Sequence, residues 1–187
     1  MRELRHYIAF AEAPENIIIA KADNRTKTVV RTPMVESLVR TTIENNFDLM
    51  IVDPFAETFE GDENSNSELK WAAVLWREIA RRTNISVMLI HHARKASNDP
   101  GNVDVARGAS ALIGVARIVS TLFGMSEDEA KALNIDPEER SNYLRHDDAK
   151  ANLNKISYAA KWFIKETITL PNAGADEPAD DVGVLRP

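Results

Sequence analysis

The chain has 187 residues, no cysteine, 44% hydrophobic and 28% charged residues, and a formal net charge of −6. These values exclude disulfides, thiolate metal sites, wholesale disorder, and a surface that holds nucleic acid by its overall charge. No apolar run approaches the roughly 20 residues of a membrane-spanning helix, and the opening MRELRHYIAFAEAPEN carries acidic residues without a long apolar stretch, so neither an anchor nor a secretory signal is expected and the cytoplasm is the expected setting.

In chain order, residues 2–13 read as a helix with Leu4, Ile8 and Phe10 or Ala11 on one side. ENIIIAKAD gives a short strand around Ile17–Ala20, and NRTKTVVRTP a loop or hairpin partner with a strand at Thr28–Val30. Thr32–Pro33 starts a helix, since proline suits the first helical position, and Val35, Leu38, Val39 and Ile43 give it an apolar face. Leu49–Val52 is continuously apolar and ends at Asp53, the pattern of a strand covered on both faces in a parallel sheet. After the acidic FAETFEGDENSNSE, the segment NSELKWAAVLWREIARRT repeats apolar residues at helical intervals, and ISVMLI is a second apolar strand. Strand, helix and strand in this order form a right-handed βαβ unit.

DVARGASALIGVA reads as a helix weakened by Gly108 and Gly114, and RIVSTLFGM as a strand. SEDEAKALN is a short helix in which Ser126 and Glu129 have capping-box spacing. SNYLRHDDAKANL and AAKWFIKETITL read as two strands forming a hairpin at the sheet edge, with Lys150 and Asn152 in the turn between them. The tail, 172–187, reads as loop. The expected organisation is a single domain over 1–187, of α/β class, with a mostly parallel sheet flanked by helices.

Two strand ends carry chemistry. Asp53 places a carboxylate at the C-terminal rim of a parallel sheet, where α/β proteins bind ligands; in nucleotide hydrolases such an aspartate holds the water shell of Mg²⁺. The plainer alternative is that Asp53 caps the following turn. The next strand ends in His91 and His92, and because neighbouring side chains on a strand point opposite ways, only one faces the rim easily. That one could sense a γ-phosphate or orient water; otherwise one imidazole is buried and the other solvated. The loop 94–106 begins with Arg94 and Lys95, which suit a nucleic-acid contact or a plain surface loop. Arg107 and Arg117 flank GASALIGVA near element ends, where an arginine can reach a neighbour's phosphates. The 187 residues contain no G-x-x-x-x-G-K-S/T phosphate loop.

The series DLMIVDP, DENSNS, a long helix, SVMLIHHARK, RGASALIGVAR and KAN before a final tryptophan-bearing strand resembles the RecA-like ATPases of the plasmid and phage RepA-type replicative helicases, roughly from Ile17 to Val184. The resemblance implies that Asp53 is the Walker B aspartate handling Mg²⁺ through water, His92 the γ-phosphate reader linked to the DNA loop at Arg94 and Lys95, and Arg117 the arginine finger. It implies weaker cofactor-binding roles for Arg107, Lys150 and Asn152. Glu63 and Asn64 match an acidic loop, Glu60–Glu63, with no assigned role. It also implies a ring-like self-association, of which a hexamer is one form, with single-stranded DNA as a candidate partner, and ATP with Mg²⁺ as cofactors of the complete protein. In that family the phosphate loop and the water-activating glutamate precede the region present here. The chain therefore looks like the C-terminal part of the core, expected to bind ATP poorly and not to hydrolyse it alone. Two rivals remain: a non-catalytic oligomerisation or regulatory module of the same descent, and a metal-dependent hydrolase using Asp53, His91 or His92, and His146.

Overall fold

A computed structural model describes residues 17–23, 28–62, 65–92, 109–152, 155, 159–174 and 178–187. The chain divides into two compact units, Met1–His92 and Ala93–Pro187. The expected helix over 2–13 lies outside the described residues.

In the first unit, β1 (Ala20–Asp23) pairs antiparallel with β2 (Thr28–Arg31) and parallel with the two-residue β4 (Phe59–Glu60). The first expected strand thus sits three residues later than its apolar run. Ile19 is nonetheless fully buried, with its N–H on the Thr58 carbonyl at 2.8 Å. Helix α1 (Met34–Glu44) follows Pro33. The Thr32 hydroxyl accepts from the Met34 N–H at 3.3 Å and donates to the Ile18 carbonyl at 2.5 Å, so the helix start is tied to the strand before it. Val35, Val39 and Thr42 face inward.

Helix α2 (Asn66–Thr83) buries Leu69, Ala72, Ala73, Leu75, Trp76 and Ile79, the stripe that its sequence spacing predicts. Its start is capped by Ser65, whose side chain accepts from the Glu68 N–H, and its end by Asn84 in the left-handed conformation at φ 57°. Leu69 and Ile79 are fully buried, each burial stabilising by roughly 1.5–3 kcal/mol. On the surface, Arg82 grips Glu36 of α1 with two hydrogen bonds of 2.8 and 2.6 Å, and Arg31 also pairs with Glu36. The Arg82 hydrogen bond holds the Glu36 carboxyl below its usual range. Strands β3 (Leu49–Val52) and β5 (Ser86–Leu89) flank α2 in sequence and pair parallel, so the βαβ unit forms as expected.

The second unit holds α3 (Ala109–Val115) and a four-stranded antiparallel sheet in the order β6 (Ile118–Gly124), β7 (Tyr143–Ala151), β8 (Lys161–Thr169), β9 (Asp181–Arg186). Between β6 and β7 lies α4 (Glu127–Leu133), whose capping box is complete: the Ser126 hydroxyl accepts from the Glu129 N–H, and the Glu129 carboxylate accepts from the Ser126 N–H. That carboxylate also takes a 2.5 Å bond from Arg145 on β7, and Arg145 pairs in turn with Asp147 at 2.8 Å. Met125 and Ala130 are the buried apolar residues of this unit among the described ones.

The class is mixed α/β, but two sequence expectations change. A mostly parallel sheet is not what the described strands form: two pairings are parallel, both in the first unit, and four are antiparallel. Alternation and apolar runs mark a strand without naming its partner, and here the partners fall into three sheets. The tail 172–187 is not loop throughout, because Asp181–Arg186 is β9, paired along β8 from Thr169 to Ile164.

Candidate functional site

The first cluster is built by β3 and β5. Their register sets Leu49 opposite Ser86 and Val52 opposite Leu89, so both strands finish at one level and one rim. Two further bonds extend the pairing past the strand ends: the Ile90 N–H donates to the Val52 carbonyl at 2.9 Å, and the Phe55 N–H to the Ile90 carbonyl at 2.7 Å. Asp53 lies between those bonds on one segment and His91 immediately after them on the other. Asp53 is exposed.

The histidines divide as strand alternation requires. His91 is half-buried, its ring edge-on to Phe55 with centroids 5.9 Å apart at 81°; His92 is exposed. Phe55 is fully buried and stacks on Phe59 at 6.0 Å. Behind it, the buried Thr58 hydroxyl donates to the Phe55 carbonyl at 2.8 Å and accepts from the Trp76 indole N–H at 3.1 Å. The turn that carries Asp53 is therefore fastened to α2. The sequence reading places Trp76 on the apolar stripe of α2 and assigns no part in the site to Phe55 or Thr58. The available signal is Phe55 and Phe59, two apolar residues within the acid-rich FAETFEGDENSNSE, together with Trp76 on the buried stripe of α2.

The donor set decides which cation this rim suits. Among the described residues no group of three or more His, Asp or Glu side chains is placed to hold a metal. The hydrolase reading draws Asp53 and a histidine from the first unit and His146 from the second. One solvent-facing carboxylate is instead a hard ligand for an ion that keeps most of its water, as Mg²⁺ does.

A second cluster stands where β6 begins and β7 ends. Val119 pairs with Lys150 and Ile118 with Ala151, while the Asn152 N–H donates to the Arg117 carbonyl at 3.1 Å. Arg117, Lys150 and Asn152 are thus brought together, with the Arg117 and Asn152 side chains exposed. Lys150 is not in a turn: it lies within β7, which runs on to Ala151 because β6 offers a partner that far. Its ammonium donates to the Ile113 carbonyl at 2.7 Å, in the last turn of α3, where a cation satisfies a helix-end carbonyl and its dipole. A phosphate-binding role for Lys150 requires that bond to open. Arg94, Lys95, Arg107, Glu63 and Asn64 lie outside the described residues. No helix among the described residues is long and apolar enough to cross a membrane.

A carboxylate and an imidazole stand at the shared C-terminal rim of two parallel strands, the place where open α/β sheets bind ligands. The family comparison agrees. Residues 2–98 match the model of the AAA domain, and the chain belongs to that family of P-loop-type ATPases. The matched stretch includes Asp53, His91 and His92 together with Arg94 and Lys95; Arg107, Arg117, Lys150 and Asn152 fall beyond it.

Proposed function

We propose that this chain works within a RecA-like ATPase motor of the RepA-type replicative-helicase kind, acting on DNA as a ring of subunits. The observation that carries the reading is the parallel register of β3 and β5, which brings Asp53 and the histidine pair to one rim. Membership of the AAA-domain family supports it.

In this reading Asp53 holds the water shell of Mg²⁺. Mg·ATP, when bound, supplies the phosphoanhydride bond and the cation that neutralises its charge. His92 offers an exposed imidazole that hydrogen-bonds a terminal phosphate oxygen and relays that contact to the DNA-facing segment at Arg94 and Lys95, directly after it in the chain. His91 does not share this role: packed on Phe55, it fixes the backbone from which His92 projects. Arg117 projects from the bend before β6 towards the phosphates of a neighbouring subunit, steadied by the Asn152 bond to its carbonyl. Since the 187 residues contain no G-x-x-x-x-G-K-S/T segment, the backbone cradle for the phosphates is missing from them, and the chain by itself binds ATP weakly and does not turn it over.

The test is to mix the chain with an intact ATPase of the same family and follow phosphate release. The reading expects the mixture's rate to change with added chain and Arg117→Ala to abolish that change. No effect of the chain at any ratio, or the same effect from Arg117→Ala, contradicts the reading.

A further inference from the structure

The four-stranded sheet ends at β9, which pairs with β8 on one side; no described strand pairs with its other side. The Leu170 N–H donates to the Asp180 carbonyl at 2.8 Å, so Asp180 addresses β8. In an antiparallel strand the N–H and C=O of one residue point the same way and successive residues alternate. Val182, Val184 and Arg186 therefore also face β8, while Asp181, Gly183 and Leu185 turn their backbone groups outward. Such a row is a template for another strand unless lysine, proline or a bulge blunts it. Within Asp181–Arg186 there is no lysine or proline, and the pairing with β8 runs without a register shift.

We propose that this edge is a self-association site: a second copy of the chain adds its own β9 antiparallel, about a two-fold axis at Gly183. Outward-facing residues must meet outward-facing residues, which restricts the registers. The one centred on Gly183 overlaps the whole strand and sets Asp180 against the partner's Arg186 at both ends. It pairs Val182 with the partner's Val184, a β-branched cross-strand contact, and Asp181 with the partner's Leu185. At the axis, a Cβ on Gly183 would meet nothing within 4 Å, so no side chain stands in the way of close approach. The end charges remain usable. Arg186 reaches Glu166 through Nε at 2.7 Å and Nη2 at 2.6 Å and keeps Nη1 for a second acceptor, and Asp180 accepts from Asn172 at 2.7 Å through one carboxylate oxygen, leaving the other. This proposal does not rest on the ATPase reading; a ring built by other surfaces leaves the outward amides of β9 exchanging.

The test combines sedimentation of the full chain with amide exchange by NMR. The expected result is a concentration-dependent shift from the 20.9 kDa monomer to twice that mass. Over the same range the N–H groups of Asp181, Gly183 and Leu185 become protected, whereas those of Val182, Val184 and Arg186 are protected throughout. Gly183→Pro removes an outward N–H and none directed at β8, and is expected to stay monomeric with an unchanged circular dichroism spectrum. A chain that remains monomeric, a dimer whose odd-numbered amides still exchange, or a dimer that persists in folded Gly183→Pro overturns the proposal. Should that variant not fold, the amide pattern of the parent chain decides alone.

Discussion

Replacing Thr58 by valine tests how the Asp53 turn is held. The two side chains have nearly the same shape, so the change removes a hydroxyl and little volume. That hydroxyl is buried between two partners, donating to the Phe55 carbonyl at 2.8 Å and accepting from the Trp76 indole at 3.1 Å. Trp76 is only 2% exposed, so its N–H then has no acceptor and water cannot readily supply one. An orphaned buried donor costs about 1–3 kcal/mol. In a chain of this length that lowers the melting temperature by roughly 2–4 °C per kcal/mol. Urea unfolding followed by tryptophan fluorescence measures the loss. In a Trp76→Phe background the same Thr58→Val change leaves no orphaned indole and should cost about 1 kcal/mol less. The Phe55 N–H, bonded to the Ile90 carbonyl, should exchange faster in the single variant. A Thr58→Val chain as stable as the parent, or an identical cost in both backgrounds, would refute the reasoning.

Ser126→Ala removes the hydroxyl of the α4 capping box and should cost about 1 kcal/mol by chemical denaturation, with increased amide exchange at Glu129. The Glu129 carboxyl is subject to burial, which raises its pKa, but the hydrogen bonds from Ser126 and Arg145 outweigh this and the net shift is downward from 4.5. A depressed folded value stabilises above the unfolded one. Its contribution is therefore intact above about 4.5 and is lost as acid carries the pH down through the folded value; a Glu129→Gln chain should show a flatter stability profile over that range. Lys150→Met should loosen the last turn of α3, read as faster exchange of the Ala116 N–H, whether or not nucleotide is present.

Much of the first unit could be read from its residues, because its signals are local. The apolar runs at Leu49–Val52 and Ser86–Leu89, with a helical stripe between them, specify a βαβ crossover whatever surrounds it. Thr32 before Pro33 and Ser126 before Glu129 mark helix starts by chemistry confined to one turn. What escaped depends on partners distant in sequence. β9 is six residues interrupted by Gly183 and preceded by acid and proline; it is a strand because β8 offers it an edge. β4 is two residues, made a strand by Ala20 and Lys21 alongside. The site divides in the same way. Asp53 and the histidine pair were visible as polar residues closing apolar strands. Which histidine turns inward depends on Phe55, and the engagement of Lys150 depends on a helix end 37 residues away in sequence.

The most direct measurement uses Mn·ATP, a paramagnetic substitute for the magnesium complex, titrated into isotope-labelled chain and followed by amide line broadening. It registers weak binding, which is what a chain with no phosphate loop in its sequence should show. The account predicts the strongest broadening at Asp53, Phe55, His91 and His92, and its loss in Asp53→Asn. Broadening centred elsewhere, or left unchanged by Asp53→Asn, would contradict the claim that the rim of β3 and β5 is where this protein meets nucleotide.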